Sequence, residues 1–213
     1  MTLRPPFSRD ILNIDPEHTV NEIAAFLKYY VHRELQRGGA VVGVSGGIDS
    51  SVCLALSART FGPQRVLAVM MPERESSKGS VTRATELCET FGVEYAIEDL
   101  TDALTGLGCY RNRDEAVSRV FPDYNPAKDK IKLTMPPMSS KGLQAVFRLT
   151  MVRPDGSEEA SRLRLKDYLQ IVSASNYKQR SRMATLYYHA ERLNYAVIGT
   201  PNKHEHAQGF FVK

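Results

Sequence analysis

Apolar residues recur along the chain in two patterns, one with a helical period and one as short unbroken runs. Residues 20–35 show apolar positions every three to four residues, after the capping pair Asp15-Pro16, and the pattern stops at Gly38-Gly39. This spacing predicts an amphipathic helix. Ala40–Val44 follows as a short run rich in valine, which is typical of a strand buried on both faces.

The same alternation continues through the first half of the chain. It predicts further strands at Arg65–Met71 and Val93–Ile97, and helices at Val52–Thr60, Lys78–Phe91, Thr101–Leu107 and Asp114–Val120. Alternating strands and helices favour an α/β fold, here a doubly wound parallel sheet with helices on both faces.

Beyond Phe121 the pattern changes, and prolines between residues 122 and 137 predict a loop region. Residues 144–165 then contain a β-hairpin signal around Pro154-Asp155-Gly156, because Pro and Asp-Gly favour the dihedral angles of tight turns. We expect this hairpin to be an excursion from the sheet. The last predicted elements are a helix at Asn176–Leu193, a strand at Tyr195–Gly199 and a polar loop after it.

Length and composition restrict the function. The 213 residues suit a single α/β domain, and the net charge of +4 is too scattered to predict nucleic-acid binding. No apolar run suits a membrane span or a secretory signal. Cys53, Cys88 and Cys109 are widely spaced and odd in number, which argues against a disulfide framework or a zinc site. A cytoplasmic location fits these features.

The glycine-rich stretch Val44–Ser51 lies between a predicted strand and a predicted helix. Gly46 and Gly47 permit a close backbone approach to a polyanion, and the amides that open the helix favour negative charge. Asp49 beside phosphates suits a bridging Mg²⁺ ion. The stretch fits neither a Walker A loop nor a dinucleotide fingerprint. The predicted ATP-binding residues here are Gly43, Val44, Ser45, Gly46, Gly47, Ile48, Asp49, Ser50 and Ser51.

Four motifs carry a resemblance to a known family. Ser45–Ser51 resembles the pyrophosphate loop of the N-type ATP pyrophosphatases. Met71–Ser80, Asn176–Met183 and the run from Ile198 to Lys213 are similar to the corresponding motifs of NAD synthetases, in the same order. The resemblance extends from about Asp15 to Lys213 and indicates the ammonia-dependent type, whose domain would here span residues 1–213 and lack its C-terminal part.

The resemblance implies a reaction and a set of site residues. Such enzymes adenylate the carboxylate of deamido-NAD with ATP, and ammonia then displaces AMP, without a nucleophilic side chain. Ammonia would come from solution or from a separate glutaminase, and the enzyme would be a homodimer. The implied roles are ATP contact for Ser77 and Thr200, deamido-NAD contact for Arg180 and Lys213, and Mg²⁺ binding for Asp49 and Glu205.

Three alternatives stay open on the residues alone. A paralogous ligase would apply the same chemistry to another carboxylate. A non-catalytic nucleotide-binding protein would bind ATP without releasing pyrophosphate, although it would not need two metal-binding carboxylates. A tRNA-modifying relative would need a basic face or a cysteine pair, and neither is evident.

Overall fold

The computed structural model describes residues 13–134 and 147–209, apart from the side chain of Lys78. They divide into two compact units. The first comprises the residues up to Asp99 and those from Ala184 onward, and the second comprises Leu100–Met183. The expectation of one domain over residues 1–213 stays a prediction.

The first unit is built on a parallel sheet. Its strands among the described residues are β1 (Ala40–Gly43), β2 (Val66–Met70), β3 (Glu94–Ile97) and β7 (Ala196–Ile198). They lie in the order β3-β2-β1-β7, and Val41 of β1 is in register with Leu67 of β2 and Val197 of β7. This confirms the predicted parallel α/β sheet.

Helices cover both faces of this sheet. Val42 and Leu54 belong to one buried cluster, so the second helix packs on one face. On the other face Gly43 lies against Leu186, whose Cδ1 would be 3.3 Å from a Cβ added to the glycine. The helices of this unit are α1 (Pro16–Tyr29), α2 (Ile48–Phe61), α3 (Lys78–Phe91), the C-terminal part of α6 (Leu165–Leu193) and α7 (Lys203–Gln208).

The first helix begins where the sequence predicts. The Asp15 carboxylate accepts hydrogen bonds from the amides of Glu17 and His18 at 3.0 and 3.1 Å, and Pro16 occupies the first turn. The helix continues as a π-helical turn at Tyr30–Glu34. The amphipathic helix predicted here is present, but no residue of α1 itself is buried and several of its large side chains face outward.

The second unit contains the predicted hairpin within a larger sheet. Gly156 has φ +84°, and the Asp155 carboxylate accepts hydrogen bonds from the amide and hydroxyl of Ser157 at 2.9 and 2.7 Å. The loop expected between residues 122 and 137 includes an unpredicted strand at Lys130–Thr134, paired antiparallel with the strand at Arg148–Val152. Residues 144–146 lie outside the described part. The elements are α4 (Thr101–Gly106), α5 (Cys109–Ser118), β4 (Lys130–Thr134), β5 (Arg148–Val152), β6 (Glu158–Arg162) and the N-terminal part of α6.

Two further boundaries differ from the predictions. The last long helix begins at Leu165 rather than Asn176. Asp167 in its first turn is buried and accepts hydrogen bonds from Arg119 and Arg164, which anchors this turn. The polar loop expected after β7 contains the short helix α7. None of the helices in the described ranges is both long and apolar enough to cross a bilayer.

Candidate functional site

The glycine loop joins β1 to α2 at the carboxyl edge of the parallel sheet. Gly46 adopts φ +76°, and Gly47 is the extended N-cap residue of α2. The first intrahelical bond runs from the Ser51 amide to the Gly47 carbonyl at 3.1 Å. The preceding amides of the first turn, from Ile48 to Ser50, therefore have no partner within the helix and point toward the loop. Such an arrangement suits an anion, as the sequence predicts.

The loop serines hold the loop in shape. The Ser50 and Ser51 hydroxyls both donate to the Gly47 carbonyl, at 3.0 and 2.9 Å. Because the Ser50 proton is used there, the Ser45 hydroxyl donates to Ser50 Oγ at 3.1 Å. Ser45 Oγ in turn accepts from the Gly47 amide at 3.3 Å. These three hydroxyls are thus engaged within the loop, and the amides of the first helical turn are left as donors for a ligand.

Helix α3 supports the loop from one side. A Cβ at Gly46 would lie 2.7 Å from the Ser80 carbonyl oxygen, so no side chain fits at this glycine. Arg83 donates from Nε to the Gly46 carbonyl at 3.4 Å. Sequence reasoning missed Arg83. The signal available was its position one turn into the helix that follows the Ser76-Ser77 motif.

The segment after β7 lies against α2. The Cys53 thiol donates to the Gly199 carbonyl at 3.9 Å, which places Thr200 beside this helix. Asp49 precedes Cys53 by four residues and therefore shares its side of α2. Burial, and secondarily the charge of Asp49, raises the pKa of Cys53. Asp49 and the Thr200 segment are thus brought to the same side of α2.

Glu205 takes part in capping α7. Its Oε2 accepts from the Asn202 amide at 2.9 Å, and the Asn202 side chain accepts from the amides of His204 and Glu205. This capping box begins α7. The box engages one carboxylate oxygen of Glu205, and the hydrogen bonds of the box do not involve the other.

The remaining predicted residues are distributed along the chain. Ser77 is the exposed N-cap residue of α3, and its hydroxyl pairs with that of Ser80. Arg180 is exposed on α6, within the second unit. Lys213 lies outside the described residues. Asp49, Ser77, Thr200 and Glu205 all belong to the first unit.

One observation bears on metal binding. Among residues 13–134 and 147–209, no group of three or more His, Cys, Asp or Glu side chains is arranged to hold a metal ion. A metal bound through Asp49 and Glu205 would therefore need ligands from a phosphate or from water.

An apolar cavity of about 430 Å³ lies elsewhere, between α1 and the C-terminal half of α2, lined by residues such as Val20, Leu56 and Phe91.

Fold and loop together define a class. A parallel α/β sheet with a glycine loop between its central strand and the next helix is a nucleotide-binding architecture. The NAD synthase family matches residues 19–120 and 148–213, so the chain belongs to the NAD synthase family.

Curated relatives support the family at the level of sequence. The chain is 42% identical to the NH(3)-dependent NAD(+) synthetase of Rhizobium rhizogenes over 100% of its own length and 64% of the relative's. It is 46% identical to the enzyme of that name from Mesorhizobium japonicum, over 95% of the chain and 63% of the relative. The chain thus spans less than two thirds of the length of these relatives.

Solved structures support the fold. The NH3-dependent NAD synthetase of Campylobacter jejuni superposes with a TM-score of 0.60 and 22% identity, over 93% of this chain and 62% of that one. An NMN synthetase from Francisella tularensis superposes with a TM-score of 0.61 and 20% identity, over 94% of this chain and 60% of that one.

Proposed function

We propose that the chain catalyses, as part of an ammonia-dependent NAD synthetase, the ATP-dependent amidation of deamido-NAD. The observation that carries this proposal is the preorganised glycine loop in a chain that belongs to the NAD synthase family. AMP and pyrophosphate are the other products. We also propose a cytoplasmic homodimer that uses free ammonia or ammonia from a separate glutaminase.

The loop suits the chemistry of adenylation. A carboxylate oxygen of the substrate attacks the α-phosphorus of ATP, and the bond to pyrophosphate breaks. The first-turn amides of α2 face the departing pyrophosphate and stabilise its charge without rearrangement. Ammonia then attacks the acyl carbon, the bond to AMP breaks, and the nitrogen loses a proton. These steps need positioning and charge stabilisation rather than a nucleophilic side chain.

The other predicted residues take supporting roles in this proposal. Ser77 and Thr200 contact ATP, while Arg180 and Lys213 contact deamido-NAD. A guanidinium offers the planar set of donors that suits a phosphate or carboxylate. Asp49 is exposed on the first turn of α2, and Glu205 keeps one carboxylate oxygen outside its capping box.

Hard oxygen donors of this kind fit Mg²⁺, with phosphate and water as the remaining ligands. The ion would neutralise phosphate charge when bound.

The test is turnover by the chain with ATP, Mg²⁺, ammonia and deamido-NAD, followed by detection of AMP and NAD. Asp49→Asn is expected to abolish AMP formation while leaving the circular dichroism spectrum unchanged. Asp102→Asn is the matched control, because Asp102 is also an exposed acid in the first turn of a helix. Equal loss in both variants, or normal turnover by Asp49→Asn, would contradict the proposed role.

The same assay separates the alternatives. ATP binding without AMP formation would favour a non-catalytic nucleotide-binding protein. AMP formation with another acid, but not with deamido-NAD, would favour a paralogous ligase.

A further inference from the structure

The glycine loop has no positively charged side chain of its own. Residues 44–51 include one acid, Asp49, and neither lysine nor arginine. In a Walker A loop a lysine reaches the β- and γ-phosphates, and its charge offsets theirs beside the Mg²⁺ ion. The first-turn amides of α2 supply only the partial charge of a helix end. A cation equivalent to that lysine would therefore have to come from another element of the chain.

Arg83 on α3 is a cation that contacts the loop. Its Nε donates to the Gly46 carbonyl at 3.4 Å, and its side chain is exposed. Within residues 13–134 and 147–209, no carboxylate forms an ion pair with Arg83. The bond to Gly46 uses one N–H group of the guanidinium, and the donors on Nη1 and Nη2 are not involved in it.

Gly79 gives the guanidinium its position. It lies in the first turn of α3, four residues before Arg83, and a Cβ there would be 2.9 Å from Arg83 Nη1. The guanidinium therefore occupies space that any other residue at position 79 would fill. Side chains of a helix lean toward its N-terminus, which in α3 is the end where Ser80 lies against Gly46. Gly79 thus lets Arg83 place a positive charge at the edge of the loop.

We propose that Arg83 binds the β- and γ-phosphates of ATP and stabilises the pyrophosphate as it leaves. This inference rests on the proposed function, in which pyrophosphate is the leaving group, and adds a substrate-binding residue to it. A guanidinium suits the task because its planar set of donors matches two phosphate oxygens and its charge is permanent. The hydrogen bond to Gly46 holds the cation and the loop amides in a fixed relation before the substrate arrives.

Titration of inorganic pyrophosphate with Mg²⁺ into the chain, followed by calorimetry, tests the contact directly. Arg83→Gln removes the charge and should raise the pyrophosphate dissociation constant about tenfold. In the AMP-forming assay the same variant should lower kcat by about 30-fold or more, because the charge on the leaving group grows in the transition state. Arg83→Lys keeps the charge and should recover most of the binding.

Arg59→Gln is the matched control for the charge. Arg59 is also exposed, but it lies in the last turn of α2, at the end away from the loop. Its loss should leave pyrophosphate binding and kcat unchanged. The thermal midpoint of Arg83→Gln should stay close to that of the wild type, because the side chain is exposed and its bond to Gly46 is long.

Gly79→Ala tests the position of the guanidinium without removing it. The added methyl group displaces the flexible end of Arg83, so pyrophosphate binding should weaken several-fold. Alanine favours a helix more than glycine does, so the thermal midpoint should be the same or higher. Gly106→Ala makes the same change within α4, where an added Cβ meets nothing within 4 Å, and it should not affect binding.

The outcomes separate this inference from the proposed function. A wild-type chain that does not bind pyrophosphate overturns the role of Arg83, and so does Arg83→Gln binding as tightly as the wild type. Equal losses of thermal midpoint and binding in Arg83→Gln and Arg83→Lys would also overturn it, because Arg83 would then only support the fold. If pyrophosphate binding depends on Arg83 but deamido-NAD yields no NAD, the contact stands and the proposed function fails.

Discussion

The loop glycines allow a prediction in which folding and ligand binding separate. Gly46 has φ +76°, and a Cβ there would lie 2.7 Å from the Ser80 carbonyl oxygen. The left-handed conformation costs an alanine about 1 kcal/mol, and displacing the backbone at Ser80 adds about 2 kcal/mol. We therefore expect Gly46→Ala to lower the free energy of unfolding by about 3 kcal/mol, or the melting temperature by roughly 6 to 12 °C.

Gly47→Ala is the matched control one residue further on. Gly47 has φ −96°, which any residue adopts, and the nearest atom to an added Cβ is Ser45 Oγ at 3.3 Å. The Ser45 hydroxyl can shift by a few tenths of an ångström, and alanine is a poorer N-cap residue than glycine, so the free energy of unfolding should fall by about 1 kcal/mol or less. The methyl group would nevertheless stand where the backbone approaches a phosphate, and ATP binding should weaken by about tenfold.

Thermal denaturation by circular dichroism and ATP titration by calorimetry measure the two effects independently. The expected result is that Gly46→Ala loses both stability and binding, whereas Gly47→Ala loses mainly binding. Equal melting temperatures for Gly46→Ala and wild type would refute the close packing of the loop on α3. A Gly47→Ala variant as unstable as Gly46→Ala would refute the distinction between the two glycines.

Three further predictions concern the buried polar groups. Burial alone would raise the pKa of Asp167, but hydrogen bonds from Arg119 and Arg164 outweigh it and hold that pKa below its usual value. Asp167→Ala should therefore cost about 2 kcal/mol in urea denaturation at pH 7, less than for a fully buried pair because Arg164 is exposed. This contribution is present in full above the unfolded-state pKa of about 4 and is lost as the pH falls through the lowered folded value. The wild-type advantage should therefore shrink as the pH falls below about 4, and an advantage that does not change with pH would contradict it. The buried His189 donates from Nε2 to Glu98 at 2.8 Å, and its Nδ1 accepts from Arg192. His189→Ala should therefore lower the free energy of unfolding by about 2 kcal/mol and speed amide hydrogen exchange in β3. Unchanged exchange in β3 would count against a role of His189 in holding this strand. Burial raises the pKa of the Cys88 thiol to about 11, so mass spectrometry should find Cys88 unlabelled by a thiol reagent at pH 8 until the chain unfolds.

Local signals predicted the first unit well. Helix α3 has the predicted bounds because Gly92, in the left-handed conformation at φ +64°, ends it. Strands β1 and β2 were predictable because strands buried on both faces read as unbroken apolar runs. Strand β4 was missed because its alternating residues Lys130–Thr134 become a strand only through pairing with β5, which is distant in sequence.

The site was predictable by residue type but not by detail. Glycine spacing identifies the loop, whereas hydrogen bonding decides that Ser50 and Ser51 stabilise the loop rather than present donors. Arg83 contacts Gly46 through a tertiary hydrogen bond between α3 and the loop, and no local sequence pattern predicts that contact. The capping use of Glu205 was readable in principle, because Asn202 precedes it at the capping-box spacing.

The pairing of β1 with β7 has a consequence for how the molecule forms. Ala40 pairs with Ala196, a separation of 156 residues, whereas β1, β2 and β3 follow one another closely in the chain. Closing a long loop costs entropy before its contacts form, so the three early strands can assemble on the ribosome well before β7 emerges. The Thr200 segment, which follows β7, would then join the glycine loop only after β1, β2 and β3 have paired.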